Sequence, residues 1–185
     1  MKNSAFVLLA GILCITACKK SNSSSTSTTF SANVNGKATT FNVVSATLLR
    51  SQADNEKRMD ITGLSTDKSQ QIIFTLGLET SQGSGMTVKS YVLNPFPPDD
   101  PNTPNIDESL TTQGFTTYMT SLGNGNWFTD IYDEQGIFVI SACDSAHTTV
   151  SGTFATTLTD SNATPAISVV ITDGKISNLK YMVLN

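Results

Sequence analysis

From Phe30 onward the apolar residues of this chain recur at every second position, and no stretch sustains the 3.6-residue period of an amphipathic helix. Val150, Gly152, Phe154, Thr156 and Leu158 alternate with Thr149, Ser151, Thr153, Ala155 and Thr157, so one face is apolar and the other carries hydroxyls. That pattern predicts a half-buried strand. Ile72, Phe74, Leu76 and Leu78 repeat it, whereas Ile137, Val139 and Ser141 alternate with Phe138 and Ile140, a run apolar on both sides that predicts a central strand. Phe41 and Val43 occupy one parity while Val44, Ala46 and Leu48 occupy the other, and the switch predicts a β-bulge or a bend. Composition agrees: 22 Ser and 27 Thr in 185 residues, with only 14% charged residues, suit half-polar strands better than charged helices.

Turn residues divide these runs. Asn35-Gly36 and Asp173-Gly174 each read as a two-residue hairpin turn, because both central positions favour positive φ, and Gly123–Asn126 and Asp133–Gly136 mark two more turns. Ten or eleven strands are predicted, near 29–34, 38–50, 57–65, 70–79, 86–93, 110–120, 126–133, 136–143, 147–159, 166–172 and 175–184. Short strands, polar outer faces and hairpin links predict an all-β domain, an antiparallel β-sandwich of about 10–11 strands. A closed or partly open antiparallel β-barrel satisfies the same parity and is the alternative.

The start of the chain obeys other rules. Lys2 precedes an apolar run from Ala5 to Ile15, too short to span ~30 Å of hydrocarbon as a helix, so it reads as the core of a secretory signal. Ile15-Thr16-Ala17-Cys18 resembles the lipobox of bacterial lipoproteins: a bulky aliphatic residue, two small ones, then Cys. The resemblance implies cleavage before Cys18 by signal peptidase II, with diacylglycerol on its thiol and an acyl chain on its amine. Residues 1–17 are then the signal peptide, 18–29 the lipidated Cys and a Ser/Thr-rich tether, and 30–185 a single all-β domain. Cys143 is left without a disulfide partner and is expected to be a small buried hydrophobe, not a nucleophile.

Charge excludes one class of partner. Eleven basic residues stand against fifteen acidic ones, with no basic cluster beyond Lys19-Lys20 and Lys57-Arg58, so non-specific nucleic-acid binding has no electrostatic basis. The one histidine, His147, lies at an expected turn, and no triad, zinc pattern, phosphate loop or dinucleotide fingerprint is present. A non-enzymatic role is therefore expected, without a cofactor beyond the lipid. Three candidate sites remain. Trp127, Tyr132 and Tyr118 could stack on a glycan. Asp99, Asp100, Asp107 and Glu108, in a proline-rich stretch between strands, offer oxygen ligands of the kind Ca²⁺ takes, although the spacing of an EF-hand is absent. Asp130 with Asp133 or Glu134 could form the carboxylate pair of a glycoside hydrolase. Gly63, Gly77, Gly85 and Gly152 would suit a barrel around a small apolar ligand, though strand glycines also mark bulges.

Phe30-Ser-Ala-Asn-Val-Asn-Gly-Lys37, Gly136–Ser141, Val150-Ser-Gly-Thr-Phe154 and Ile171–Asn178 together resemble the small lipoproteins of Bacteroidota that are grouped as domains of unknown function. Ile176 stands where that group carries an aromatic residue. The resemblance implies a lipid-anchored β-domain with no assigned activity and carries no catalytic residues over. In that group export to the cell surface goes with acidic residues just after the lipidated Cys, and Lys19-Lys20-Ser21-Asn22 lacks them. The expected location is thus the outer membrane, facing the periplasm, with the cell surface as the alternative. The expected partners are the membrane and a glycan or a protein.

Overall fold

The computed structural model describes residues 27–51, 56–80, 83–93, 114–121, 127–160 and 164–185, with backbone alone at 78–80, 127–135 and 160. Its strands are β1 (Thr29–Val34), β2 (Lys37–Ser51), β3 (Glu56–Ser65), β4 (Gln70–Thr80), β5 (Ser90–Leu93), β6 (Gly114–Ser121), β7 (Trp127–Asp144), β8 (Thr149–Asp160), β9 (Ile167–Lys180) and β10 (Met182–Leu184). They follow one another as β1-β9-β8-β7-β5-β6-β4-β3-β2, and the pairing of β1 with β2 closes the ring. The protein is therefore an all-β closed barrel of nine strands, with β10 added in parallel along β2. β5 is a short wedge, since β6 and β7 also pair directly beyond it.

Closure corrects the sandwich reading. Parity is the same for both architectures, and what decides is that β1 uses both edges: Ser31 lies opposite Thr40 of β2 and Lys175 of β9. The long strands bend at bulges to close the ring, and the bulge predicted in β2 is one of them, where the register with β3 slips between Val43 and Ser45. The hairpin at Asn35-Gly36 is also as expected, with φ of 49° and 78°. The Asn35 side chain accepts from the Val170 N–H at 2.8 Å, which fixes that turn to β9.

Two predicted turns are absent. Asp173-Gly174 lies inside β9, which pairs with β8 on both sides of it, and only Asp173 has positive φ, 52°, so the register with β8 shifts at a bulge. Gly174 is required for a different reason: a Cβ there would overlap the Phe154 ring. Likewise Gly136 lies inside the continuous β7, and a Cβ on it would run into the Thr156 side chain. The turn expected at Gly123–Asn126 lies outside the described residues.

The described interior is mainly apolar, with Lys57, Ser65, Thr116 and Thr156 buried among the apolar side chains. Every even-numbered side chain from Val150 to Leu158 points inward, as do Ile72, Phe74 and Leu76. Phe30, Phe41, Phe74, Phe138 and Phe154, from five different strands, form one ring cluster with centroid separations of 4.6 to 6.4 Å. Phe74 and Phe154 stand 4.6 Å apart although β4 and β8 share no ladder, so these rings meet across the lumen. A barrel of about eight strands is just wide enough to be filled in this way. Apolar inside and largely hydroxyl-bearing outside is the reverse of the polarity a lipid-spanning barrel carries.

Candidate functional site

The described residues also form a candidate site on the outer wall of the barrel. Along most strands that wall carries Ser, Thr or charge, but β5, β7 and β8 set a row of aliphatic side chains on it. Ladder register places Val92, Ile137 and Ala155 side by side, and Ser90, Val139 and Thr153 form the next row, which Lys175 of β9 continues. Val92 and Ile137 are 42% and 43% exposed, values high enough to leave both open to a partner. The surface dips here into a shallow groove of about 400 Å³, lined by Ile137, Val139, Thr153, Ala155, Asp173 and Lys175.

The bulge in β9 shapes one wall of this groove. Positive φ at Asp173 turns its carboxylate outward, where the Asn33 amide donates to it at 2.8 Å. The carboxylate is thus oriented from β1 while its neighbour Lys175 projects into solvent. An aliphatic strip flanked by hydroxyls and one charge of each sign can take an extended apolar segment.

The sequence-derived candidates lie elsewhere. Tyr118, on β6, is buried in the core cluster, and burial, with the Asp67 carboxylate adding to it, pushes its hydroxyl up to about 12. It has no outer face for a sugar. Trp127 and Tyr132 belong to β7, opposite Ser121 and Thr117 of β6, and their side chains lie outside the description. The same holds for Asp130, Asp133 and Glu134, with Glu134 at a register slip against β8. Cys18 and the oxygen ligands Asp99, Asp100, Asp107 and Glu108 fall outside the described residues. Among the described residues no three His, Cys, Asp or Glu side chains converge as a metal site.

His147 and Cys143 do not form a pair. The imidazole is solvent-exposed in the β7–β8 turn with Nδ1 2.7 Å from Asp144 Oδ2, and Asp144 Oδ1 accepts from the backbone N–H of Ala146 and His147. Those bonds hold the Asp144 carboxyl below the usual range. Cys143 is half-buried against the core, its Sγ 3.7 Å from the Tyr181 hydroxyl. It reaches the inner side by a route that parity missed. Phe138 and Ile140 face inward while Ile137 faces out, and a register slip between Ile140 and Ala142 then brings Cys143 opposite the buried Val150.

Sequence reasoning also missed the groove. The run apolar on both faces predicts a central strand, and β7 does lie between β5 and β8, but its outer face at Ile137 is bare. The signal was present in the double-sided run itself: in a filled barrel only one face of a strand meets the core. No protein-family model, curated protein or solved structure matches this chain.

Proposed function

We propose that this chain is a lipid-anchored, non-enzymatic binding module that holds an extended apolar segment of a protein partner in the outer groove of β7, β8 and β9. Cys18 would carry the diacylglycerol and the N-acyl chain, and the body would stand at the outer membrane, on the periplasmic side. The observation that supports the reading most is the aliphatic row Val92-Ile137-Ala155 on the outside of a barrel whose lumen is crossed by phenyl rings. It favours a surface ligand over an enclosed one. A protein segment is the partner proposed because Ile137, Val139 and Ala155 give the groove aliphatic contacts and Phe154, the ring in its lining, is buried.

A thermal-shift screen of aliphatic peptides and of glycans on the mature protein tests this. A peptide at one hundred times its Kd stabilises the folded state by ~2.7 kcal/mol and raises the midpoint. The shift is expected to vanish in Ile137→Asp, whose side chain is at the surface and whose circular-dichroism spectrum is expected to match wild type. A glycan that shifts wild type and Ile137→Asp equally would overturn the assignment of the groove.

A further inference from the structure

The two most exposed large apolar side chains of the described residues are Met182, at 65%, and Val44, at 60%, and neither lies in the groove. Both flank the barrel seam. There the edge of β2 is shared by two strands: β1 pairs as far as Ser31 opposite Thr40, and β10 takes over from Met182 opposite Thr47. The intervening segment of β2 holds the bulge at Val44, which turns that side chain out of the barrel. Leu184, 44% exposed, extends the apolar surface along β10 beside the half-buried Leu49.

The chain enters the barrel at the same place. Thr29 pairs with Ser177, and the Thr28 hydroxyl donates to the Asn178 carbonyl at 3.1 Å, four residues before Met182. Nine residue steps separate Ser27 from Cys18. At ~3.3–3.6 Å per residue even a fully extended leash reaches only about 32 Å. A leash of that length lets the surface nearest its point of attachment reach the bilayer, and that surface carries Val44, Met182 and Leu184. Lys180 is exposed next to them and suits anionic head groups. The nearest carboxylate across the ladder, Asp60, is neutralised by Arg58 at 3.0 Å.

We infer that the seam between β1 and β10 rests on the lipid surface, with Val44, Met182 and Leu184 entering the head-group region and the groove of β7–β9 left free. The inference depends on acylation of Cys18. Spin labels at Val44→Cys, Met182→Cys and, as control, Val92→Cys, each in a Cys143→Ala background, test it on the acylated protein in vesicles of phosphatidylethanolamine and phosphatidylglycerol. Labels at 44 and 182 are expected to collide more with oxygen than with an aqueous nickel chelate, and the label at 92 to show the opposite. If the protein floats with the vesicles but all three labels favour the chelate, the anchor stands and the docked seam is wrong. Spin–spin broadening at 182 would mean that a second copy covers the seam, which also overturns it. Protein that fails to float takes the anchor and the docking down together.

Discussion

At the level of single residues, several positions are small because a ring needs the space. Gly63 in β3 faces inward, and a Cβ on it would overlap the Phe30 ring, which is itself held against Phe41 and Phe154. Neither the ring nor the strand can yield cheaply in a core packed at crystal-like density. Gly63→Ala is expected to lower unfolding stability by about 1–3 kcal/mol, the usual range for overpacking. Gly83→Ala, at an exposed position where the nearest contact would be Lys57 Nζ at 3.6 Å, should stay within about 0.5 kcal/mol of wild type. Urea denaturation of the two variants checks this, and equal losses would contradict it.

A second residue-scale prediction concerns acid. Asp67, in the β3–β4 turn, accepts from the Ser65 hydroxyl at 2.6 Å, the Ser69 hydroxyl at 2.7 Å and the Ser69 N–H at 3.1 Å. These bonds favour the ionised form and lower its pKa from 3.8 to about 2. A carboxyl whose pKa is depressed by folding contributes stability above its unfolded pKa and loses it as pH falls through the folded one. The urea midpoint is therefore expected to drop between pH ~4 and ~2. Asp67→Asn should start from a lower midpoint at neutral pH and show a shallower drop in that window. An unchanged slope would remove Asp67 from the account.

Among the secondary-structure elements, β9 departs most from its prediction. An Asp-Gly hairpin would bring Val170 opposite Ser177, whereas the continuous strand places Val170 opposite Thr157 and Lys175 opposite Thr153. Cross-strand NOEs at the latter two pairs are expected, and a Val170–Ser177 NOE in their place would restore the hairpin. The reason the sequence misleads is specific. Gly in a turn and Gly under a packed side chain look identical in one dimension, and Gly174, under the Phe154 ring, and Gly136, under Thr156, are both of the second kind. Where a glycine really is a turn residue, at Gly36 with φ of 78° and open space around it, the reading succeeds. Inward faces were equally legible, because period two is imposed by the pleat itself. The groove was not, because an uncovered apolar row becomes visible only once strand order shows that Val92, Ile137 and Ala155 are neighbours.

For the whole molecule, closure and filling decide what kind of protein this can be. Joining β1 to both β9 and β2 leaves β10 as the short terminal addition to the ring. Five phenyl rings occupy the middle, and each close pair adds ~0.5–1.5 kcal/mol beyond its buried area. Loss of one ring by Phe154→Ala is accordingly expected to cost about 3–5 kcal/mol in thermal or chemical unfolding, and a loss under about 1 kcal/mol would show a loosely packed lumen. The described part of the interior is thus committed to stability, and the groove and the seam are the surfaces we propose for a partner and for the membrane.

Xenon, which binds empty apolar cavities in proteins, probes that claim most directly. In NMR spectra of the folded domain under xenon pressure, the resonances of Phe74, Phe138 and Phe154 are expected to show no saturable shift. Saturable shifts at these rings would reveal a vacant interior and make an enclosed apolar ligand, not a surface partner, the object of the fold.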